Sequence, residues 1–405
     1  MQYRIDNKSG RALSIIGFGC MRFPRYLTRI DFNKSEQLIV QAVRQGINYF
    51  DTAYNYGGSE VTLGQILTKN RLRDNIFLAT KLPHGRCKSY DDFESLLRTQ
   101  LERLQTDYID YYLIHNLGDV HSWQRLCELG IERWIAAKKD TGQISNLGFS
   151  FHGSHEEFMK LLDVYDWDFC QIQYNYLNIN YQAGAAGLKK AAAKGIPVII
   201  MEPLLGGKLA TGLPKKAVHH FNKVNHALTP AAWALRWLWN QPEVTVVLSG
   251  MNDMQQLEDN IATASTSVPN MLTPAENEAY NTVMDIMEAT YKIPCTGCNY
   301  CMPCPHNVNI PACFTAYNMT AATGFVSGMT LYVTSTSLFK PQQNYAASRC
   351  TACGVCETKC PQQIPIIQSL KQVRKKMEPF WVNAALKIYS GLSHIREVRT
   401  TLKEK

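Results

Sequence analysis

Two runs of cysteine carry the most specific chemistry in this sequence. Cys295, Cys298, Cys301 and Cys304 follow C-x2-C-x2-C-x2-C and precede Pro305; Cys350, Cys353, Cys356 and Cys360 follow C-x2-C-x2-C-x3-C and precede Pro361. Two intervening residues form a tight loop whose thiolates converge on three corners of a cuboidal iron–sulfur cluster, and the last cysteine of such a run points away toward a second cluster. The spacing predicts two [4Fe–4S] clusters with crossed ligation. Cys295, Cys298 and Cys301 with Cys360 would hold one, and Cys350, Cys353 and Cys356 with Cys304 the other. The first run is one residue shorter before its last cysteine. Zinc is the competing reading, but four-cysteine zinc sites separate two pairs rather than placing four cysteines in one run. Thirteen cysteines are present, and nine of them lie beyond Ile293. The odd count and the clustering argue against a disulfide framework. Cys20, Cys87, Cys127, Cys170 and Cys313 read as small buried hydrophobes.

A second constellation is polar. Asp51 ends the run NYFDTA, Tyr56 follows in AYNYGGSE, Lys81 ends IFLATK and His115 ends YIDYYLIH. A charged residue closing an apolar run is costly unless paired, so Asp51 and Lys81 on adjacent strands are expected to pair. The elements that must position these residues alternate. Strand candidates ALSIIGFG, NYFDTA, IFLATK, YIDYYLIH, ISNLGFSF, FCQIQYN, PVIIMEP and VTVVLSG are separated by helical stretches, among them KSEQLIVQAVRQG, SYDDFESLLRTQLERL, WQRLCELGIERWIAAKKD, AGAAGLKKAAAKG and TPAAWALRWLWNQ. Eight such units imply parallel strands joined by crossovers and close naturally into a (β/α)8 TIM barrel. All four polar residues then fall at the C-terminal ends of strands or in the loops after them, the barrel's active face. A doubly wound open sheet is less favoured, because no G-x-G-x-x-G separates the first strand from the first helix.

FDTAYNYGGSE, ATK, LERLQTDYIDYYLIHN and GFS together resemble the aldo-keto reductase superfamily, over residues 1 to about 268. With the cysteine runs, of which the second has bacterial-ferredoxin spacing, the chain resembles the bacterial and archaeal aldo/keto reductases with a C-terminal 4Fe-4S ferredoxin domain. The resemblance implies NADPH or NADH as cofactor and hydride transfer to an aldehyde or ketone, or the reverse on an alcohol. It implies Tyr56 as general acid, Lys81 as the residue that makes the tyrosine more acidic, Asp51 as the partner of Lys81, and His115 as the group orienting the carbonyl. Ser150 and Gln171 match the nicotinamide carboxamide contacts. Gly206, Gly207 and Lys208, with Ser249, Gly250, Gln256 and Asn260, match pyrophosphate and adenosine contacts. Three positions depart from the family pattern. The Ser-Asn pair is Ser150-Phe151 here, the stacking aromatic falls at Met201, and Gln256 stands where a 2′-phosphate would want Arg.

The boundaries expected are a barrel at 1–270, a connecting helix at 271–292 with Thr273 as N-cap, a mainly α-helical 2[4Fe–4S] ferredoxin-like domain at 293–370, and a basic helical tail at 371–405. Residues 1–12 read as an extra hairpin below the barrel, and residues 314–349 are poorly patterned. Lys371 to Lys405 holds nine Lys/Arg against three Asp/Glu, much of the formal net charge of +8. The tail reads as a solvated basic helix, or as a docking surface for an acidic redox protein such as ferredoxin or for an anionic membrane. No aromatic-interleaved basic array points to nucleic acid. No stretch of eighteen apolar residues is present and the polar start MQYRIDNKSGR lacks a signal-peptide core, so a cytoplasmic location is expected. Clusters move single electrons whereas nicotinamide gives two as hydride, and no flavin signal bridges them. The alternative to a carbonyl reductase is therefore a nicotinamide-binding regulatory module, like the potassium-channel β-subunits, or an electron-transfer module fed by ferredoxin.

Overall fold

The computed structural model describes residues 1–322, 324–338, 344–380 and 382. It divides into two compact units: Met1–Gly212 with Phe221–Tyr280, and Leu213–His220 with the chain from Asn281 onward. Most of the expected basic tail, from residue 383, lies outside the described residues. No helix among the described residues is long and apolar enough to cross a membrane.

In the first unit eight parallel strands close into a barrel: β1 (Ile16–Gly19), β2 (Tyr49–Asp51), β3 (Phe77–Leu82), β4 (Ile109–Ile114), β5 (Ile144–Phe151), β6 (Phe169–Gln173), β7 (Val198–Met201) and β8 (Val244–Ser249). Each pairs with the next in sequence, and β8 returns to β1. The strands are nearly continuous apolar runs because both faces are covered. Alternation sorts them. Tyr49, Ala79, Tyr111, Leu113, Phe169, Ile199, Val246 and Leu248 pack together inside the barrel, while Phe50, Leu78, Tyr112, Ile114, Phe149 and Ile172 join the larger core under the helices.

Local signals set the helices. Asp31 caps Phe32–Arg44 by accepting the Lys34 N–H at 3.1 Å, and Ser89 with Asp92 forms a capping box before Tyr90–Leu104. Gly46 and Gly195, at φ of 92° and 69°, end their helices in the left-handed region. Thr273 accepts the Glu276 N–H at 3.2 Å at the start of Pro274–Thr290. The expected hairpin forms and runs two residues further, Tyr3–Ile5 against Ala12–Ser14, and Leu13 packs in the barrel interior.

Two elements differ from the sequence reading. ALSIIGFG is not one strand: Ala12–Ser14 belongs to the hairpin and Ile16–Gly19 to the barrel. WQRLCELGIERWIAAKKD is two helices, Val120–Glu128 and Ile131–Asp140, because Gly130 at φ 87° turns the chain between them.

Helix Ser59–Asn70 meets helix Tyr90–Leu104 at Gly64, where an added Cβ would lie 2.4 Å from the Arg103 carbonyl oxygen and 2.7 Å from Leu104 Cα. Backbone cannot yield as a side-chain tip can. Gly64→Ala is therefore expected to cost about 1–3 kcal/mol by overpacking, outweighing alanine's higher helix propensity of about 1 kcal/mol. Urea unfolding followed by barrel tryptophan fluorescence measures this; an unchanged midpoint would refute the close-packing account.

The second unit is mainly helical: Ile310–Ala322, Phe325–Thr336 and Ile366–Met377. The expectation of a poorly patterned middle gives way to two packed helices, of which Ile310–Ala322 is largely buried and Phe325–Thr336 buries Gly328, Tyr332 and Thr336. They approach closely at Gly328, where a Cβ would stand 2.7 Å from the Thr320 nitrogen and 2.8 Å from the Ala316 oxygen. Phe314, Tyr332, Leu370, Val373 and Met377 form the core. The Tyr332 hydroxyl donates to Glu378 at 2.6 Å and accepts the Ala347 N–H at 2.8 Å, fixing the segment that leads into Cys350. Helix Ile366–Met377 runs through position 371 without a break.

Candidate active site and cluster sites

Inward-facing residues at the C-terminal ends of β2 to β6 build a polar arc over the apolar barrel interior. Asp51, Lys81, His115, Ser150 and Gln171 are each at most 8 % exposed. Asp51 is in register with Ala79, two residues before Lys81, an offset of about 6.6 Å at the usual strand rise. The lysine chain spans that offset. Its Nζ donates to both Asp51 carboxylate oxygens at 2.7 Å and to the Thr52 carbonyl at 2.8 Å, so all three ammonium protons are used. Asp51 also accepts the Gln171 Nε2–H at 3.0 Å. The expected Asp51–Lys81 pair is thus present, and it is linked across the barrel to Gln171.

Tyr56 and His115 complete the cluster. Lys81 Nζ lies 4.9 Å from the Tyr56 ring centroid, and the His115 ring meets the Tyr56 ring edge-on at 6.0 Å. Burial, then Asp51, Glu202 and Cys20, hold the Tyr56 phenol well above its usual range. The resemblance implied the opposite push from Lys81, but that charge is already matched by Asp51. The tyrosine consequently stays protonated, as a proton donor must. Burial, then Lys81, His152 and His84, drive His115 well below the usual imidazole value, so it is neutral. Its Nδ1 is buried without a hydrogen-bond partner.

A network that no motif announced braces β3 from behind. Glu60, 3 % exposed, accepts Thr80 Oγ1 at 2.7 Å, Gln100 Nε2 at 2.8 Å and Arg103 Nη1 at 3.0 Å, while Gln100 also donates to the Lys81 carbonyl at 3.1 Å. No local pattern marks it, because its members are up to 43 residues apart.

The remaining candidate residues fall into three groups. Ser150 Oγ accepts the Asn116 N–H at 2.8 Å, which leaves its own proton to give. Phe151 faces outward, its ring 4.9 Å from Phe158, and takes no part in the arc. Gly206 and Gly207, at φ of 69° and 94°, make the left-handed turn into Lys208–Thr211. Ser249 accepts Asn260 Nδ2–H at 3.1 Å, tying β8 to helix Met254–Thr266. Gln256 is committed locally, donating to Asp253 at 2.6 Å and accepting the Asn252 N–H at 3.2 Å. Arg22, missed by the sequence reading, is brought against Gly250, where a Cβ would lie 3.2 Å from that of Arg22. The unpaired His115 nitrogen, the glycine turn and this nearby cation fit an anionic nicotinamide nucleotide.

In the second unit Cys295, Cys298, Cys301 and Cys360 line one cavity of about 310 Å³, counted with the solvent at its mouth, with Ile310, Phe314 and Ile366 as apolar wall. Burial, then the thiols of Cys295, Cys298 and Cys360, push Cys301 up to about 12. Burial also raises Cys356 to about 11, with Glu357, Cys304 and Cys350 adding to it. The neighbours of each run therefore include the last cysteine of the other. Soft sulfur donors around an apolar cavity fit an iron–sulfur cluster, whose positive iron would hold as thiolates groups that resist ionising alone. Cys353 is exposed.

Residues 15–271 match the aldo/keto reductase family, and residues 294–365 match a 4Fe-4S dicluster domain. Among similar proteins, L-glyceraldehyde 3-phosphate reductase of Escherichia coli K12 is 25 % identical over 310 residues, covering 64 % of this chain and 87 % of that protein. L-galactose dehydrogenase of Arabidopsis thaliana is 26 % identical over 296 residues, covering 65 % and 88 %. The holo form of aldo-keto reductase AKR11C1 from Bacillus halodurans superposes with a TM-score of 0.57 at 23 % identity, covering 70 % of this chain and 96 % of that one, a likeness of fold. The chain belongs to the aldo/keto reductase family and carries a 4Fe-4S dicluster ferredoxin-type domain C-terminal in sequence to the reductase domain.

Proposed function

We propose that this protein reduces the carbonyl group of a small aldehyde or ketone with a nicotinamide nucleotide, or runs the reverse oxidation of an alcohol. The observation that carries this is the Lys81–Asp51 pair set beneath a protonated Tyr56 and a neutral His115. NADH or NADPH, when bound, supplies the hydride. His115 orients the carbonyl oxygen, and Tyr56 gives that oxygen its proton as charge develops on it. Lys81, held by Asp51 and Thr52, fixes the edge of the site against Tyr56. Ser150 and Gln171 hold the nicotinamide end; Gly206, Gly207, Lys208, Ser249, Gly250 and Asn260 form the rest of the nucleotide groove. Cluster-loaded protein should oxidise NADH anaerobically with a small dicarbonyl as acceptor. Failure to oxidise either nucleotide with any carbonyl would overturn the reading.

The nucleotide proposed is NADH. No Lys or Arg occurs from Ser249 to Asn260, and the Asp253 carboxylate stands where a 2′-phosphate would seek a cation. Preference for NADH over NADPH is expected at 10-fold or more, roughly the value of one charge-assisted hydrogen bond. Gln256→Arg should narrow it by strengthening NADPH alone. Titration of both nucleotides against both proteins checks this, and tighter NADPH binding by the wild type would contradict it.

We infer for the second unit two [4Fe–4S] clusters with crossed ligands, working in the cytoplasm. The exposed Lys371, Arg374, Lys375 and Lys376 on the last helix favour an acidic redox protein such as a ferredoxin as electron partner. That route would serve the clusters separately from hydride transfer, since one-electron and two-electron carriers do not exchange directly without a mediator.

A further inference from the structure

Thr296 stands between Cys295 and Cys298 in the first cysteine run and lines the cavity that those two share with Cys301 and Cys360. It is 5 % exposed, and its Oγ1 is buried with no hydrogen-bond partner among the described residues. Neither Asn299 nor Gln362, the two amides on that wall, bonds to it, and Ile310, Phe314 and Ile366 have no side-chain group that could. A hydroxyl buried in this way is costly, since buried polar groups are otherwise paired. The second run carries a threonine at the matching place, Thr351 after Cys350, but that one is exposed to solvent. Spacing treats the two threonines alike; burial separates them.

Iron-bound sulfur, thiolate or sulfide, carries no proton and only accepts, so the role left to a hydroxyl beside it is that of donor. We propose that the Thr296 hydroxyl donates a hydrogen bond to a sulfur of the cluster held by Cys295, Cys298, Cys301 and Cys360, and thereby raises the reduction potential of that cluster. This rests on the reading of the second unit as a two-cluster electron carrier and names a side chain that sets the potential of one cluster. Reduction adds one electron, supplied by the acidic redox protein inferred above, and spreads the added negative charge over the sulfurs. Thr296 keeps its proton, and no covalent bond forms or breaks. A hydrogen bond strengthens as its acceptor gains charge, so Thr296 favours the reduced state. The apolar wall acts in the opposite sense, because burial disfavours added charge. The donor offsets part of the penalty that Ile310, Phe314 and Ile366 place on taking up an electron.

The test is a redox titration of the full-length, cluster-loaded protein with dithionite and mediators, followed by EPR, with iron content measured alongside. Thr296→Val keeps the shape and removes the donor. One of the two midpoints should fall, so that at a fixed potential the ratio of reduced to oxidised cluster drops about 10-fold, or about 59 mV for a one-electron couple. The other midpoint should stay. Thr296→Ser, which keeps the hydroxyl, should match the wild type. Thr351→Val, whose hydroxyl is open to solvent, should move neither midpoint. Iron should stay at about eight atoms per chain throughout, and Thr296→Ala takes the place of Thr296→Val if the valine protein does not load. Unmoved midpoints in the hydroxyl-free protein overturn the proposal and leave Thr296 to a buried water. So does a Thr296→Ser protein shifted as far as Thr296→Val, which would make the effect one of packing. A wild type without two reducible clusters brings down the two-cluster reading itself, and the proposal with it.

Discussion

Replacing Tyr56 by phenylalanine is expected to lower the turnover of carbonyl reduction by about 10²- to 10⁴-fold, the usual worth of a positioned general acid. The change removes one oxygen. The ring, which stands edge-on to His115 and over Lys81 Nζ, stays where it is. Folding and NADH affinity should therefore be preserved, and the loss should fall on kcat. Anaerobic stopped-flow of nucleotide oxidation separates the two, and a variant with wild-type kcat would remove Tyr56 from the chemistry. His115 is not a substitute acid, since burial and the nearby Lys81 keep it neutral. The pH profile gives a second check. Reduction needs the phenol protonated, and its pKa is raised in the folded protein by burial and Asp51. Activity from this group is thus retained as pH rises through the ordinary phenol value of about 10 and lost only above it.

The second large effect concerns the clusters. If ligation is crossed, Cys295→Ala combined with Cys360→Ala strikes a single cluster, because both residues line the same cavity. Iron should fall from about eight to about four atoms per chain, with the other cluster's spectrum intact. If each run held its own cluster, the same pair would damage both, and iron would fall toward zero. Cys304→Ala with Cys353→Ala is the mirror experiment. The mixed pair Cys295→Ala with Cys304→Ala inverts the logic: it should cost both clusters under crossed ligation and one under uncrossed. Iron analysis with low-temperature EPR of the reduced proteins reads all three. The iron-loaded second unit should also be the part of the chain most sensitive to chelators, since ligand binding there is coupled to folding.

Much of the architecture was legible because it is written in periodicity. Eight β-rich runs separated by helical ones can close only with parallel strands, and a cap such as Thr273 acts within one turn of chain. The errors came where a local pattern had two solutions. ALSIIGFG is mostly apolar and carries no sign that the chain passes from one sheet to another at Ile15; Gly130 reads equally as a tolerated helix interior or a break. In the second unit, helices Ile310–Ala322 and Phe325–Thr336 lack the amphipathic contrast on which helix recognition depends: the first is largely buried, and the second carries apolar residues such as Phe325 and Val326 on its exposed side.

Residue types and their spacing are legible along the chain alone: two cysteine runs, and Asp51, Tyr56, Lys81 and His115 at or just after strand ends. Those features are local, and thiolate spacing or strand polarity needs no knowledge of distant contacts. What each group does to the others follows from the fold. It spent the Lys81 charge on Asp51, so that Tyr56 is pushed up instead of down, and brought Arg22 against Gly250 across the barrel's closing seam. It set Cys360 beside Cys301, and buried the Thr296 hydroxyl without a partner in the wall of the same cavity. Charge balance, desolvation and hydrogen-bond satisfaction depend on which atoms meet, and residues tens to hundreds of positions apart meet only once the chain has folded.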